Sequence, residues 1–106
     1  MIKVVYHRRF NRVVIGGHAE SGEVGHDLVC ASVSILAYTL AANVTNAKAN
    51  GCLRSARVQL EPGDAEIRCK PRTRIKSTIT LIFDSICAGF ELLSKQYPEN
   101  ISYEIK

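Results

Sequence analysis

Apolar and polar positions change period several times along this chain, and each change marks an element. Ile2, Val4 and Tyr6 alternate with Lys3 and Val5, the period-two pattern of a half-buried strand. The polar stretch His7 to Asn11 reads as a hairpin turn, and Arg12 to Gly16 (RVVIG) as a second strand. Such a hairpin delivers Gly17 and His18 to one end of a sheet. Ala19 to His26 is poor in apolar residues and contains Gly22 and Gly25, which marks a loop with wide backbone freedom. Asp27 stands immediately before an apolar run, where its carboxylate can accept the orphan amide hydrogens of a helix's first turn. The helix is expected from about Leu28 to Asn46, a length of roughly 28 Å. Leu28, Val29, Ile35, Leu36, Leu40 and Val44 occupy more than one stripe of it. A helix so apolar should be covered on several sides, by a sheet and by another surface such as a second subunit.

Asn46 to Gly51 is polar and closes that helix. Leu53 to Leu60 and Ala65 to Lys70 read as two further strands joined by Glu61-Pro62-Gly63-Asp64, and Pro before Gly is the composition of a type II turn. From about Ser77 to Tyr97, Ile79, Ile82, Phe83, Ile86, Phe90, Leu93 and Tyr97 recur every three or four residues, and Pro98 stops the pattern. Ile101, Tyr103 and Ile105 alternate as a closing strand. The order is β-β-α-β-β-α-β. This predicts an α+β fold in a single domain over residues 1–106, two long helices packed on a mostly antiparallel sheet.

Composition fits that picture. With 106 residues, 46% apolar and 23% charged, the chain has globular proportions and enough length for one core without metal or disulfide staples. The four cysteines (30, 52, 69 and 87) form no Cys-x-x-Cys pair, so neither a structural zinc nor any other cofactor is expected. The run Leu28 to Val44 carries Ser32, Ser34, Thr39 and Asn43, and suits a buried helix better than a membrane span of about 20 residues. MIKVVYHRRF lacks the apolar core of an export signal, which predicts a cytoplasmic protein with free thiols. The net charge of +4 is too small to declare a nucleic-acid binder.

One segment departs from core-and-turn composition. His18 ends a predicted strand, Cys30 falls in the first turn of a predicted helix, and the glycine loop between them can fold back. A thiol is a weak nucleophile until ionised, and the positive end of a helix together with an imidazolium favours the thiolate. The plain alternative is that Cys30 packs as a small hydrophobe. Cys52, Cys69 and Cys87 lack such a setting and read as packing residues.

Gly17-His18-Ala19, Gly22, Gly25, Asp27, Val29-Cys30-Ala31 and Ser34 together resemble the signature of the ribosomal-processing cysteine protease family, Prp. The resemblance implies a thiol protease with a His18–Cys30 dyad and a loop, including Gly22 and Gly25, that orders on substrate. It implies a homodimer, cleavage after bulky apolar residues, and a specific substrate: the amino-terminally extended precursor of the bacterial large-subunit ribosomal protein numbered twenty-seven, or a capsid protein for phage relatives. Backbone amides of Cys30 and Ala31 are candidates to hold the oxyanion. Asp27 is either the N-cap or a third catalytic member, and Ser34 bonds either within the site or back to a helical carbonyl. His26 reads as exposed.

Arg68, Lys70, Arg72, Arg74 and Lys76, with Arg54 and Arg57, form a basic segment. It reads as a solvated sheet edge or as a weak patch for ribosomal RNA. The competing function is therefore a non-catalytic ribosome- or RNA-associated module in which His18 and Cys30 merely pack.

Overall fold

The computed structural model describes residues 1–18 and 25–106. Gly22 and the rest of the expected glycine loop over residues 19–24 lie outside the described residues. Strand β1 (Ile2–His7) turns through a short 3-10 segment (Arg8–Phe10) into β2 (Arg12–Gly16), followed by helix α1 (His26–Ala49). The hairpin β3 (Leu53–Glu61) and β4 (Asp64–Pro71) leads into α2 (Lys76–Gln96) and β5 (Ile101–Ile105).

The five strands form one sheet in the order β3-β4-β2-β1-β5. Three neighbouring pairs are antiparallel, and β5 runs parallel to β1 at one edge. This is the α+β arrangement the alternating patterns predict, with one parallel pair because α2 carries the chain back across the sheet.

Alternation decides which face is covered. Val4, Tyr6, Val13, Ile15, Ile67 and Cys69 are buried beneath the helices, and their strand neighbours Lys3, Arg68 and Lys70 are exposed on the other face. From above come Val29, Val33, Leu40 and Val44 of α1, and Phe83 and Phe90 of α2. Tyr6 and Phe83 stack with centroids 6.1 Å apart. The helices meet closely at Gly89, where a Cβ would come within 2.8 Å of Leu36 Cδ2.

Both helices are long and apolar enough to cross a membrane by length and composition. In the fold, each lays one face on the sheet and contributes that face to the core. The expectation that α1 is covered on several sides holds only in part: Leu28 is 55% and Ile35 62% exposed.

The β1–β2 turn is held by one buried anchor and one at the surface. Asn11 adopts φ 47 and is fully buried; its amide donates to Thr80 Oγ1 at 3.1 Å, and Lys76 Nζ donates to its Oδ1 at 2.9 Å. Arg8 grips Asp84 with two bonds of 2.9 and 3.0 Å, and Tyr6 donates to the same carboxylate at 2.8 Å. The Arg8 guanidinium holds the Asp84 carboxyl below its usual range, and burial pushes the Tyr6 phenol up.

Candidate active site

Strand β2 ends at Gly16, and the chain turns at Gly17 (φ +83), whose amide donates to the Gly63 carbonyl at 3.0 Å. The bond ties the exit of β2 to the β3–β4 turn. Gly63 has φ +73, the left-handed value that a type II turn requires at its third position. His18 follows Gly17, and its imidazole lies over Gly63 so closely that a Cβ there would overlap the ring. The Met1 backbone nitrogen donates to the His18 carbonyl at 2.8 Å, which fixes the residue from the other side.

Cys30 approaches from α1. The helix begins at His26, two residues before the sequence reading places it, because Gly25 at φ 85 turns the chain early. Only glycine fits there: a Cβ would meet the Tyr97 ring at 2.8 Å. Three expectations change as a result. Asp27 is not the N-cap; Gly25 holds that position without a side-chain bond, and the Asp27 carboxylate is fully exposed. Cys30 lies in the second turn, where the helix-end field is weaker than in the first. The amides of Cys30 and Ala31 bond within the helix, whose unpartnered amides belong to His26, Asp27 and Leu28.

The same shift creates a contact that the sequence reading missed. His26 is not an exposed loop residue; its side chain is 28% exposed, and its Nε2 stands 3.8 Å from Cys30 Sγ. Its Nδ1 is 3.0 Å from Asp27 Oδ1. An ionised carboxylate only accepts, so Nδ1 is the donor, and Nε2 of the neutral ring then accepts from the Cys30 thiol. A His four residues before a Cys is legible as one helical face once the helix start is known. The misplaced start hid it.

His18 and Cys30 line one cavity of about 270 Å³, and Ser34 lines it too. Its apolar walls are Ile2, Ile15, Val33, Ala37, Tyr38 and Leu60. Among the described residues no hydrogen bond joins His18 directly to Cys30 or Ser34 to either. Asp27, Ala31 and Gly25 stand outside the lining. Gly63, Tyr38 and Leu60 were not singled out by sequence, because their part in the cavity depends on the hairpin packing against α1.

The other thiols differ in environment. Cys69 and Cys87 are buried, and burial pushes their thiols up to about 11 and about 12 respectively, so both stay protonated and inert at neutral pH. Cys52 is half-buried, with its thiol 3.9 Å from the Asn50 carbonyl. The basic segment does not act as one run: Arg72 Nε donates to the Gly51 carbonyl at 2.8 Å, and Arg68 faces Glu66.

Similar folds occur in solved structures. The protein SMU.848 from Streptococcus mutans is 26% identical, with 98% of this chain and 90% of that chain covered at a TM-score of 0.65. An essential ribosomal processing protease Prp from S. aureus, in complex with a covalently linked product peptide, is 23% identical over 99% of this chain and 97% of its own, TM-score 0.69. The complex of that S. aureus protease with a substrate peptide gives 20%, the same two coverages and 0.68. No curated protein matches the chain. The family model for cysteine protease Prp matches residues 1–102, and the chain belongs to that family of cysteine proteases.

Proposed function

We propose that this protease removes the amino-terminal extension of the bacterial large-subunit ribosomal protein numbered twenty-seven, with Cys30 as nucleophile and His18 as its base and acid. The observation that carries this reading is the shared cavity: His18 and Cys30 reach it from different elements, and its apolar walls suit the bulky residue that precedes the cut. The S. aureus relatives described as ribosomal processing proteases hold a substrate and a product peptide, which supports the choice of substrate class. His18 takes the Cys30 proton, the thiolate attacks the scissile carbonyl, and His18 returns the proton to the leaving amine. Water, deprotonated by the same imidazole, then releases the acyl group. Hydrogen bonds of this kind are often long before substrate binds, and a peptide in the cavity is what draws His18 onto the sulfur.

A second reading of the base rests on a specific contact. His26, oriented by Asp27, is the imidazole already at Cys30 Sγ. Cleavage of a peptide spanning the extension junction separates the two. On the first reading His18→Ala loses about 10²- to 10⁴-fold in kcat/KM, and His26→Ala no more than about tenfold. The reverse order would transfer the base to His26.

The reading carries two further expectations. A substrate made by ribosomes places the protease in the cytoplasm, near ribosomal RNA. The chain forms a homodimer, whose partner covers the exposed Leu28 and Ile35 of α1. Ile35→Glu should convert the dimer to monomer in light scattering after size exclusion.

A further inference from the structure

A second cavity, of about 720 Å³, opens at the other end of the β3–β4 hairpin, where Arg54, Arg57, Arg68 and Lys70 approach the β1–β2 turn. Its lining has a charge excess that the peptidase reading does not use. Arg12, Arg57 and Arg68 share the single carboxylate of Glu66, at 2.6, 3.3 and 3.8 Å, which leaves that trio net positive. Arg9, Arg54, Lys70 and Lys76 also line the cavity, and none of them has a carboxylate partner among the described residues. Lys76 is held in place by the Asn11 side chain at 2.9 Å.

Seven cations against one anion in one concavity repel each other, and an anionic occupant relieves that repulsion. Two details narrow the occupant. Arg68 and Lys70 are two residues apart on one strand face, about 7 Å, a spacing suited to consecutive charges on an extended polymer. Phe10 lines the same cavity beside Arg9 and is 67% exposed, a flat apolar ring where an aromatic group can stack. Repeated phosphates with bases between them satisfy both features; a run of carboxylates satisfies only the first.

We propose that this cavity binds an unpaired nucleic-acid strand, with phosphates along Arg54, Arg57, Arg68 and Lys70 and one base on Phe10. Its structural basis is separate from the dyad and stands whether or not the ribosomal substrate is correct.

The test is fluorescence-anisotropy titration of the full chain with labelled dodecamers of uridine and of thymidine, from 50 to 300 mM salt, with polyglutamate as competitor. The expected result is binding that weakens with a log–log salt slope of roughly −3, as about four phosphate contacts give on a single strand. Arg54→Glu combined with Lys70→Glu should weaken binding more than tenfold and flatten the slope, without lowering the melting temperature. Phe10→Ala should cost about fivefold or more and leave the slope alone, since stacking releases no counterions. A preference for the uridine strand would assign the site to RNA, and equal binding to single strands in general. Absence of binding at 50 mM salt would overturn the proposal. So would polyglutamate that binds as tightly while Phe10→Ala changes nothing, which would mark an acidic-peptide site instead.

Discussion

The two cavities sit at opposite ends of the same strands and are built on opposite principles. At the Leu60–Ala65 end, backbone decides: Gly17, Gly25 and Gly63 adopt left-handed angles that bring a strand exit, a helix start and a turn together around one thiol. The walls are mixed, apolar on the helix side with Glu61 and Asp64 at the turn, and the proposed chemistry rests on a few groups whose placement matters within an ångström. At the Arg54–Arg57 end, side chains decide: strand faces carry cations whose collective field matters more than any one position. A reactive site of the first kind fails abruptly when one atom moves, and a charged surface of the second kind degrades by increments.

That contrast can be broken most severely at the thiol. Cys30→Ser should reduce peptide cleavage by about 10⁴-fold or more. The same variant should hold single-stranded nucleic acid as tightly as the parent. Loss of both activities together would show that the cavities are coupled.

Gly63→Ala comes next, since it touches the site through backbone alone. A Cβ at Gly63 would displace the His18 ring, and φ +73 strains any other residue. Cleavage should fall about 10- to 100-fold. The melting temperature should drop by an amount matching roughly 1–3 kcal/mol. Unchanged cleavage with lowered stability would remove His18 from the mechanism.

Iodoacetamide mapping sharpens the comparison of thiols. Between pH 7 and 8.5, Cys30 should label while Cys69 and Cys87 resist, because burial both shields them and holds their thiols protonated up to about 11 and about 12. Labelling of Cys87 at a rate matching Cys30, read by peptide mass spectrometry, would contradict this.

The smallest effect concerns the turn beside the basic cavity. Arg8–Asp84 pairing pins the Arg8–Phe10 segment, and Arg8 holds the Asp84 carboxyl below its usual range. A group depressed in the folded state contributes stability above its unfolded value of about 4 and loses it as pH falls through the folded one. The melting temperature should therefore fall progressively below about pH 4, and Asp84→Asn should flatten that decline. The same variant should weaken nucleic-acid binding about twofold by loosening Phe10. An identical acid profile in parent and variant would show that the pair contributes nothing.

Much of this protein is readable without coordinates. Period-two alternation marked β1 and β5 and the 3.6-residue repeat marked α2, since a half-buried element must repeat its apolar positions at its own geometric period; α1 was legible from its apolar run, and β3 and β4 from the turn between them. The Pro62-Gly63 turn was legible for the same local reason, and so was the pairing of His18 with Cys30 as candidates. What local pattern could not carry was the start of α1. Capping preference favours Asp27, but the chain turns at Gly25, where the Tyr97 ring leaves no room for a side chain. That clash involves residues 72 positions apart, so only the packed molecule contains it, and from it follow the half-buried His26 and its contact with Cys30. The basic segment divides for the same reason. Adjacent in sequence, its cations separate into an arginine bonded to the Gly51 carbonyl beyond α1 and a strand face around Glu66 only once β4 has neighbours on both sides.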